Sequence, residues 1–134
     1  MTALMLPRDL RARIALEARA AYPRECCGLI EGEGFSVTAL HPSRNLASAP
    51  DRFEIDPSLQ FRLMREGRRI IGCYHSHPDG AAEPSLRDAE LAVDGDFVWL
   101  IAGAADSLAA YVWDGARFAP VPMSCEADLK STRP

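Results

Sequence analysis

The sequence lacks the features that mark membrane-spanning, secreted and nucleic-acid-binding proteins. No apolar run approaches the roughly 18 residues that a membrane-spanning helix needs, and the N-terminus does not combine a charged start with an apolar signal core. The net charge is -4, and the arginines are scattered among acidic residues, so no positive surface for nucleic acid is expected. We therefore expect a cytoplasmic protein that has neither a membrane nor a nucleic acid as its partner.

The four cysteines do not have the spacing of a disulfide-rich secreted domain. Cys26 and Cys27 are neighbours, which cannot easily share an unstrained bridge, while Cys73 and Cys125 are isolated in the sequence. Free cysteine packs as a small hydrophobic residue. Reduced and mostly buried thiols are therefore expected.

The chain has the length of one compact domain. Its 134 residues are 48% hydrophobic, which is enough for a single core, and they contain no internal repeat and no low-complexity segment. The residues from about Ser124 onward are polar. We expect one domain over residues 1–123, followed by a polar C-terminal tail over residues 124–134.

Apolar spacing and turn residues predict three helices interleaved with strands. The helices are expected over Pro7–Ala21, over Asp56–Gly67 and from Ser85 onward. The strands are expected over Cys26–Ile30, Phe35–His41, Arg69–Tyr74, Phe97–Ile101, Leu108–Trp113 and Arg117–Val121. Because short turns join most of the strands, this order predicts an α+β domain with a mixed, largely antiparallel sheet flanked by helices.

Two histidines follow a buried strand with one residue between them. In an extended chain, His75 and His77 point to the same face, so both imidazoles can bind one metal ion. Asp88, on the first turn of the next helix, can return as a third ligand, and this set leaves a fourth position for water, as in catalytic zinc sites. A structural interpretation stays open, because Ser85 and Asp88 have the spacing of a helix-capping box and strand histidines also occur without metal.

Cys73 lies on the same face of the strand as His75, two residues before it. It could compete for the metal from about 6–7 Å back along the strand, although a thiol in an apolar strand is more often simply packed. A purely structural zinc would need such a fourth protein ligand.

The run His75-Ser76-His77-Pro78, followed by Ser85 and Asp88, resembles the metal motif of the JAMM (MPN+) metalloproteases. Upstream, Pro23–Ile30 resembles the segment of that family that carries the catalytic glutamate, here Glu25. The order of helices, strands and motifs matches over most of the chain. The resemblance implies the JAB/MPN fold, which is cytidine-deaminase-like, and a compact bacterial member of the family. Without the motif, Glu25 would be interpreted as a solvated acid.

The resemblance also implies a role for each residue of the site. It implies Zn²⁺ held by His75, His77 and Asp88, and no organic cofactor. Glu25 would act as the general base and then as the general acid. The hydroxyl of Ser85 would donate a hydrogen bond to the oxyanion of the tetrahedral intermediate.

Members of this family hydrolyse the amide or isopeptide bond after the C-terminal Gly-Gly of ubiquitin or ubiquitin-like proteins. The chain has no room for the large insertions that position a second ubiquitin, so the resemblance implies a ubiquitin-like or sulfur-carrier protein as substrate. We expect substrate contacts in the loops Pro42–Asp51 and Asp79–Pro84.

Two non-enzymatic alternatives stay open, a non-catalytic MPN-type interaction module and a structural zinc domain. A zinc deaminase is disfavoured, because its His-x-Glu and Pro-Cys-x-x-Cys motifs are missing from the sequence.

Overall fold

A mixed sheet of eight strands organises residues 2–92 and 95–125, which are the residues that the computed structural model describes. The strands are β1 (Leu4–Met5), β2 (Cys27–Glu33), β3 (Ser36–Ser43), β4 (Ile70–Ser76), β5 (Val98–Ala102), β6 (Leu108–Trp113), β7 (Phe118–Val121) and β8 (Met123–Ser124). Their order across the sheet is β7-β6-β5-β4-β2-β3-β1-β8. The pairs β1–β3, β1–β8 and β4–β5 are parallel and the other pairs are antiparallel. The predicted α+β class and mixed sheet are confirmed.

Three α-helices accompany the sheet in the described part of the chain: α1 (Arg8–Ala21), α2 (Pro57–Arg65) and α3 (Leu86–Glu90). Helix α2 begins as predicted, with Pro57 at its first position and the Asp56 side chain accepting a hydrogen bond from the backbone of Ser58 at 3.0 Å. It ends before Gly67, whose φ of 73° lies in the left-handed region that terminates helices. No helix among the described residues is long and apolar enough to span a membrane.

Strands β1 and β8 are absent from the sequence prediction. Each has two residues, too few for an alternating pattern to be recognised, and they pair in parallel with each other. The predicted tail, residues 124–134, therefore begins inside a strand at Ser124. Residues 126–134 of that tail lie outside the described part of the chain.

The two faces of the central sheet are covered by different helices. Leu10 and Ile14 of α1 share one apolar cluster with Tyr74 of β4. Leu59 and Leu63 of α2 pack on the other side, in a second cluster that contains Leu29, Cys73 and Trp99. All four cysteines are free thiols, and Cys73 is packed in this second cluster.

The pairing of β2 with β4 brings the segment before β2 to the end of β4. Cys27 lies opposite His75, and one step further the backbone of Ser76 donates to the carbonyl of Cys26 at 3.1 Å. The Ser76 hydroxyl accepts a hydrogen bond from the Cys26 N–H at 2.8 Å. This register places Glu25, just before β2, beside His77, just after β4, so the site lies at the ends of two central strands.

Candidate active site

Three side chains predicted as metal ligands converge at the end of β4. The Nε2 atoms of His75 and His77 are 3.1 Å apart. The carboxylate oxygens of Asp88 lie 3.1 and 3.2 Å from Nε2 of His75, and one of them lies 3.4 Å from Nε2 of His77. The side chains of His75 and Asp88 are 0% and 4% exposed, so the cluster is largely removed from water.

The spacing of these donor atoms fits one tetrahedral metal ion. Ligand atoms bound to zinc at about 2.0–2.1 Å in tetrahedral geometry lie about 3.3 Å apart. The distances between His75, His77 and Asp88 span 3.1 to 3.4 Å. Two imidazole nitrogens and one carboxylate also form a donor set that suits zinc and leaves one position open.

The surroundings favour the protonation states that metal binding requires. Burial lowers the pKa of His75, which favours the neutral imidazole. Burial acts to raise the pKa of Asp88, but the hydrogen bonds from His75 and His77 outweigh it and hold that pKa below its ordinary value. A neutral His75 beside an ionised Asp88 is the form in which both can bind a cation.

The first turn of α3 positions Asp88 through the capping box that the sequence offered as a structural alternative. The Asp88 N–H donates to Oγ of Ser85 at 3.1 Å, and the Ser85 N–H donates to Oδ2 of Asp88 at 2.9 Å. The predicted capping box is therefore present, and the same geometry turns the Asp88 carboxylate toward the histidines. The Ser85 hydroxyl accepts in this bond, so its own hydrogen stays available for donation.

Glu25 lies beside the histidines and is buried, which contradicts the interpretation of this residue as a solvated acid. It is 6% exposed, and one carboxylate oxygen lies within 4.8 Å of a ring nitrogen of both His75 and His77. Burial, opposed by the charge of His77 and reinforced by that of Asp88, raises the pKa of Glu25 to about 7. A carboxyl group with this pKa can both accept and release a proton near neutral pH.

An open cleft of about 720 Å³ gives access to these residues. Glu25, His77 and Ser85 line it, together with parts of both loops in which substrate contacts were expected. Pro50–Asp51 comes from the first loop and Asp79–Gly80 from the second.

Cys73 is 4% exposed in the apolar cluster around Trp99. Burial raises the pKa of its thiol, which opposes the thiolate form that binds metal. Cys73 also lies outside the group of Glu25, His75 and His77, whose ligand atoms lie within 4.8 Å of one another.

Two residues near the site were missed by sequence reasoning. The ring of Phe53 stacks on the imidazole of His75, with centroids 4.2 Å apart and planes inclined by 17°. The side chain of Asn45 bonds to the backbone of Glu25 at 3.0 Å. An aromatic residue within the charged run Asp51–Glu54 was the available signal for Phe53, and no local pattern marks Asn45.

The site combines two histidines and a buried carboxylate around one point with a second buried carboxylate beside them on an open cleft. This arrangement is typical of metal-dependent hydrolases. This class agrees with the protein family to which the sequence belongs. The family of prokaryotic homologs of the JAB domain matches residues 7–115, and the chain belongs to this family.

Relatives and a solved structure agree with this assignment. The chain is 33% identical to a desampylase from Haloferax volcanii, over 92% of this chain and 96% of the relative. It is 33% identical to a probable TtuB-protein conjugate cleaving protease from Thermus thermophilus, over 63% of this chain and 60% of the relative. The solution structure of protein DSY2949 from Desulfitobacterium hafniense has a TM-score of 0.81 and 26% identity, over 95% of each chain. The chain is an enzyme, a hydrolase of the JAMM type.

Proposed function

We propose that this enzyme is a zinc-dependent isopeptidase that cleaves the amide bond after the C-terminal Gly-Gly of a ubiquitin-like or sulfur-carrier protein. The observation that carries the proposal is the convergence of His75, His77 and Asp88 within 3.1 to 3.4 Å, with Glu25 beside them on an open cleft.

In this proposal His75, His77 and Asp88 hold the zinc, and Glu25 does not. The distances support Asp88 as the third ligand, because it approaches both imidazoles as closely as ligands of one ion approach each other. Glu25 also lies near both imidazoles, within 4.8 Å, and the proposal assigns it to proton transfer. When bound, zinc supplies a Lewis acid that lowers the pKa of a coordinated water toward about 7.

Glu25 moves the protons of the reaction. Its carboxylate accepts a proton from the attacking water and then delivers that proton to the departing amine, so that the carboxylate is regenerated. Both steps need a group whose pKa is close to neutral, and burial raises the pKa of Glu25 to about 7. The position of Glu25 on the cleft lets it reach both the water and the leaving group.

Ser85 stabilises the negative charge that develops on the carbonyl oxygen of the scissile bond. Its hydroxyl oxygen is occupied as acceptor from Asp88, which fixes the side chain while the O–H remains able to donate. Ser85 lines the cleft and is exposed, so a substrate carbonyl can reach it. A donor placed in this way acts on the transition state.

The proposed substrate class rests on the relatives and on the shape of the site. A relative described as a conjugate cleaving protease supports cleavage of a protein conjugate. An extended Gly-Gly tail has no side chains, so it can lie in the cleft and reach a largely buried metal site. The loops that carry Pro50 and Asp79 stand on the rim and would contact the body of the carrier protein.

A mass-spectrometric cleavage assay tests the proposal. The zinc-loaded protein is incubated with ubiquitin-like and sulfur-carrier proteins that bear a C-terminal extension after Gly-Gly, beside its Glu25→Gln and Glu33→Gln variants. Glu33 ends the same strand that Glu25 precedes and is exposed, so it is the matched control. We expect cleavage after Gly-Gly by the wild type and Glu33→Gln, and none by Glu25→Gln.

Two outcomes would contradict the proposal. Cleavage by Glu25→Gln at the wild-type rate would exclude this residue as the proton carrier. A zinc-loaded wild type that cleaves no carrier would reject the proposed substrate class and indicate that the enzyme hydrolyses a different bond.

A further inference from the structure

The two histidines of the proposed metal centre are oriented by different means. A metal-binding histidine usually donates its second ring N–H to a carbonyl or carboxylate, which fixes the orientation of the ring. His77 follows this rule, because its Nδ1 lies 3.3 Å from the carbonyl oxygen of Ala81. Nδ1 of His75 is buried and has no hydrogen-bond partner within the described residues. Some other contact must therefore orient the His75 ring.

Aromatic rings enclose the imidazole of His75. Phe53 stacks on it at 4.2 Å with nearly parallel planes, and Trp99 meets it edge-on at 6.0 Å and 87°. Phe53 and Trp99 also contact each other edge-on at 6.2 Å. Because the Phe53 ring lies flat against the imidazole, rotation of the His75 ring would drive its edge into the phenyl ring. The stack therefore holds Nε2 in the direction of His77 and Asp88.

Phe53 lies outside helices and strands, so its backbone needs an anchor of its own. The Asn45 side chain provides it, because its Nδ2 donates to the carbonyl of Arg52 at 2.9 Å and its Oδ1 accepts from the N–H of Glu54 at 3.0 Å. These two bonds hold the residues on either side of Phe53.

The same amide reaches the other half of the site. Nδ2 of Asn45 also donates to the backbone carbonyl of Glu25 at 3.0 Å, and Oδ1 accepts from the N–H of Ala47 at 2.9 Å. Both donor hydrogens and both acceptor positions of the amide are thereby used. An aspartate at this position could not donate to either carbonyl.

We infer that Phe53 is a positioning residue that holds the His75 imidazole in its metal-binding orientation, and that Asn45 is the anchor that holds Phe53 beside Glu25. The inference rests on the proposed metal centre. It assigns to ring stacking the task that a hydrogen bond performs for His77.

Zinc affinity of Phe53 variants tests the first part of the inference. Phe53→Leu keeps an apolar side chain but removes the flat ring, whereas Phe53→Tyr keeps the ring. Phe118→Leu is the matched control, because Phe118 packs in the same cluster and its ring contacts Trp99, with centroids 5.4 Å apart. Dissociation constants for zinc are measured by competition with a chromophoric chelator, and the absorption spectrum of the Co²⁺-substituted protein reports the ligand geometry.

We expect Phe53→Leu to weaken zinc binding by about tenfold, in the range typical of residues that orient metal ligands, and to change the Co²⁺ spectrum. Phe53→Tyr and Phe118→Leu should keep the wild-type zinc affinity and spectrum. If Phe53→Leu retains both wild-type properties, or if Phe118→Leu loses affinity equally, Phe53 only fills the core and the inference is wrong.

A double-mutant cycle tests the second part. If Asn45 acts through Phe53, Asn45→Asp should weaken zinc binding. Phe53→Leu should then reduce zinc affinity by a smaller factor in the Asn45→Asp background than in the wild type. Additive losses would separate the two residues and contradict the anchoring role.

These binding measurements do not depend on cleavage. A protein whose zinc affinity depends on Phe53 but that cleaves no carrier would reject the proposed reaction and support the positioning role. Cleavage by the wild type, combined with an unchanged zinc affinity in Phe53→Leu, would support the proposed reaction and reject the positioning role.

Discussion

Replacing Glu25 by glutamine is expected to stabilise the metal-free protein at alkaline pH while it abolishes turnover of the zinc form. Burial raises the pKa of Glu25 from 4.5 to about 7, so the folded protein holds this proton at pH values where the unfolded chain has released it. The ionised carboxylate is thus disfavoured in the fold. The resulting loss of folding stability is absent below about pH 4.5, grows up to about pH 7 and is constant above that.

The magnitude follows from the size of the pKa change. Each pH unit between the folded and unfolded pKa corresponds to about 1.4 kcal/mol, so a rise from 4.5 to about 7 sets an upper limit near 3 kcal/mol. Glu25 lines an open cleft from which water screens part of its charge, so we expect about 1 to 2 kcal/mol. Glutamine has nearly the same shape and no charge, and therefore removes the penalty.

Urea unfolding of chelator-treated protein at about pH 5 and about pH 8 measures this effect. The free energy of unfolding of Glu25→Gln should exceed that of the wild type by more at the higher pH, whereas Glu33→Gln, the exposed control, should show no such change. A difference between Glu25→Gln and wild type that is the same at both pH values would refute the argument that burial disfavours the ionised carboxylate.

Three further predictions concern the proposed site and the core beneath it. Asp88→Ala should abolish zinc-dependent stabilisation, so that adding zinc raises the Tm of the wild type but not of the variant; an equal rise in both would place the third ligand elsewhere. Ser85→Ala should lower kcat by about 10²- to 10³-fold at unchanged zinc content, and it should lower stability by about 1 kcal/mol through loss of the cap. An unchanged kcat would leave Ser85 with capping alone. Gly28→Ala should destabilise the protein by about 1 to 3 kcal/mol in urea unfolding, because the added Cβ would lie 2.5 Å from the ring of Tyr74 and 2.6 Å from the backbone carbonyl oxygen of His41; a neutral change would show that both the ring and the backbone of β3 can shift at little cost in free energy.

Features that depend on neighbours along the chain could be predicted from the sequence. The start of α2 at Asp56 and Pro57 is a local matter of capping and of the fixed φ of proline, and it was predicted correctly. His75 and His77 share a face because side chains alternate along any extended strand. The Ser85 and Asp88 box is likewise set by spacing within one helical turn.

Which of these local features meet depends on the tertiary structure. Glu25 becomes a buried neighbour of the histidines because β2 pairs with β4 in one register, and a slip by one residue would turn its side chain to the other face. Phe53 reaches His75 because the bonds of Asn45 hold a segment that has no regular structure of its own. Strand β8 exists because it pairs with β1, which in turn pairs with β3. Such contacts join residues far apart in the chain, and their free energies depend on packing and pairing that no local pattern encodes.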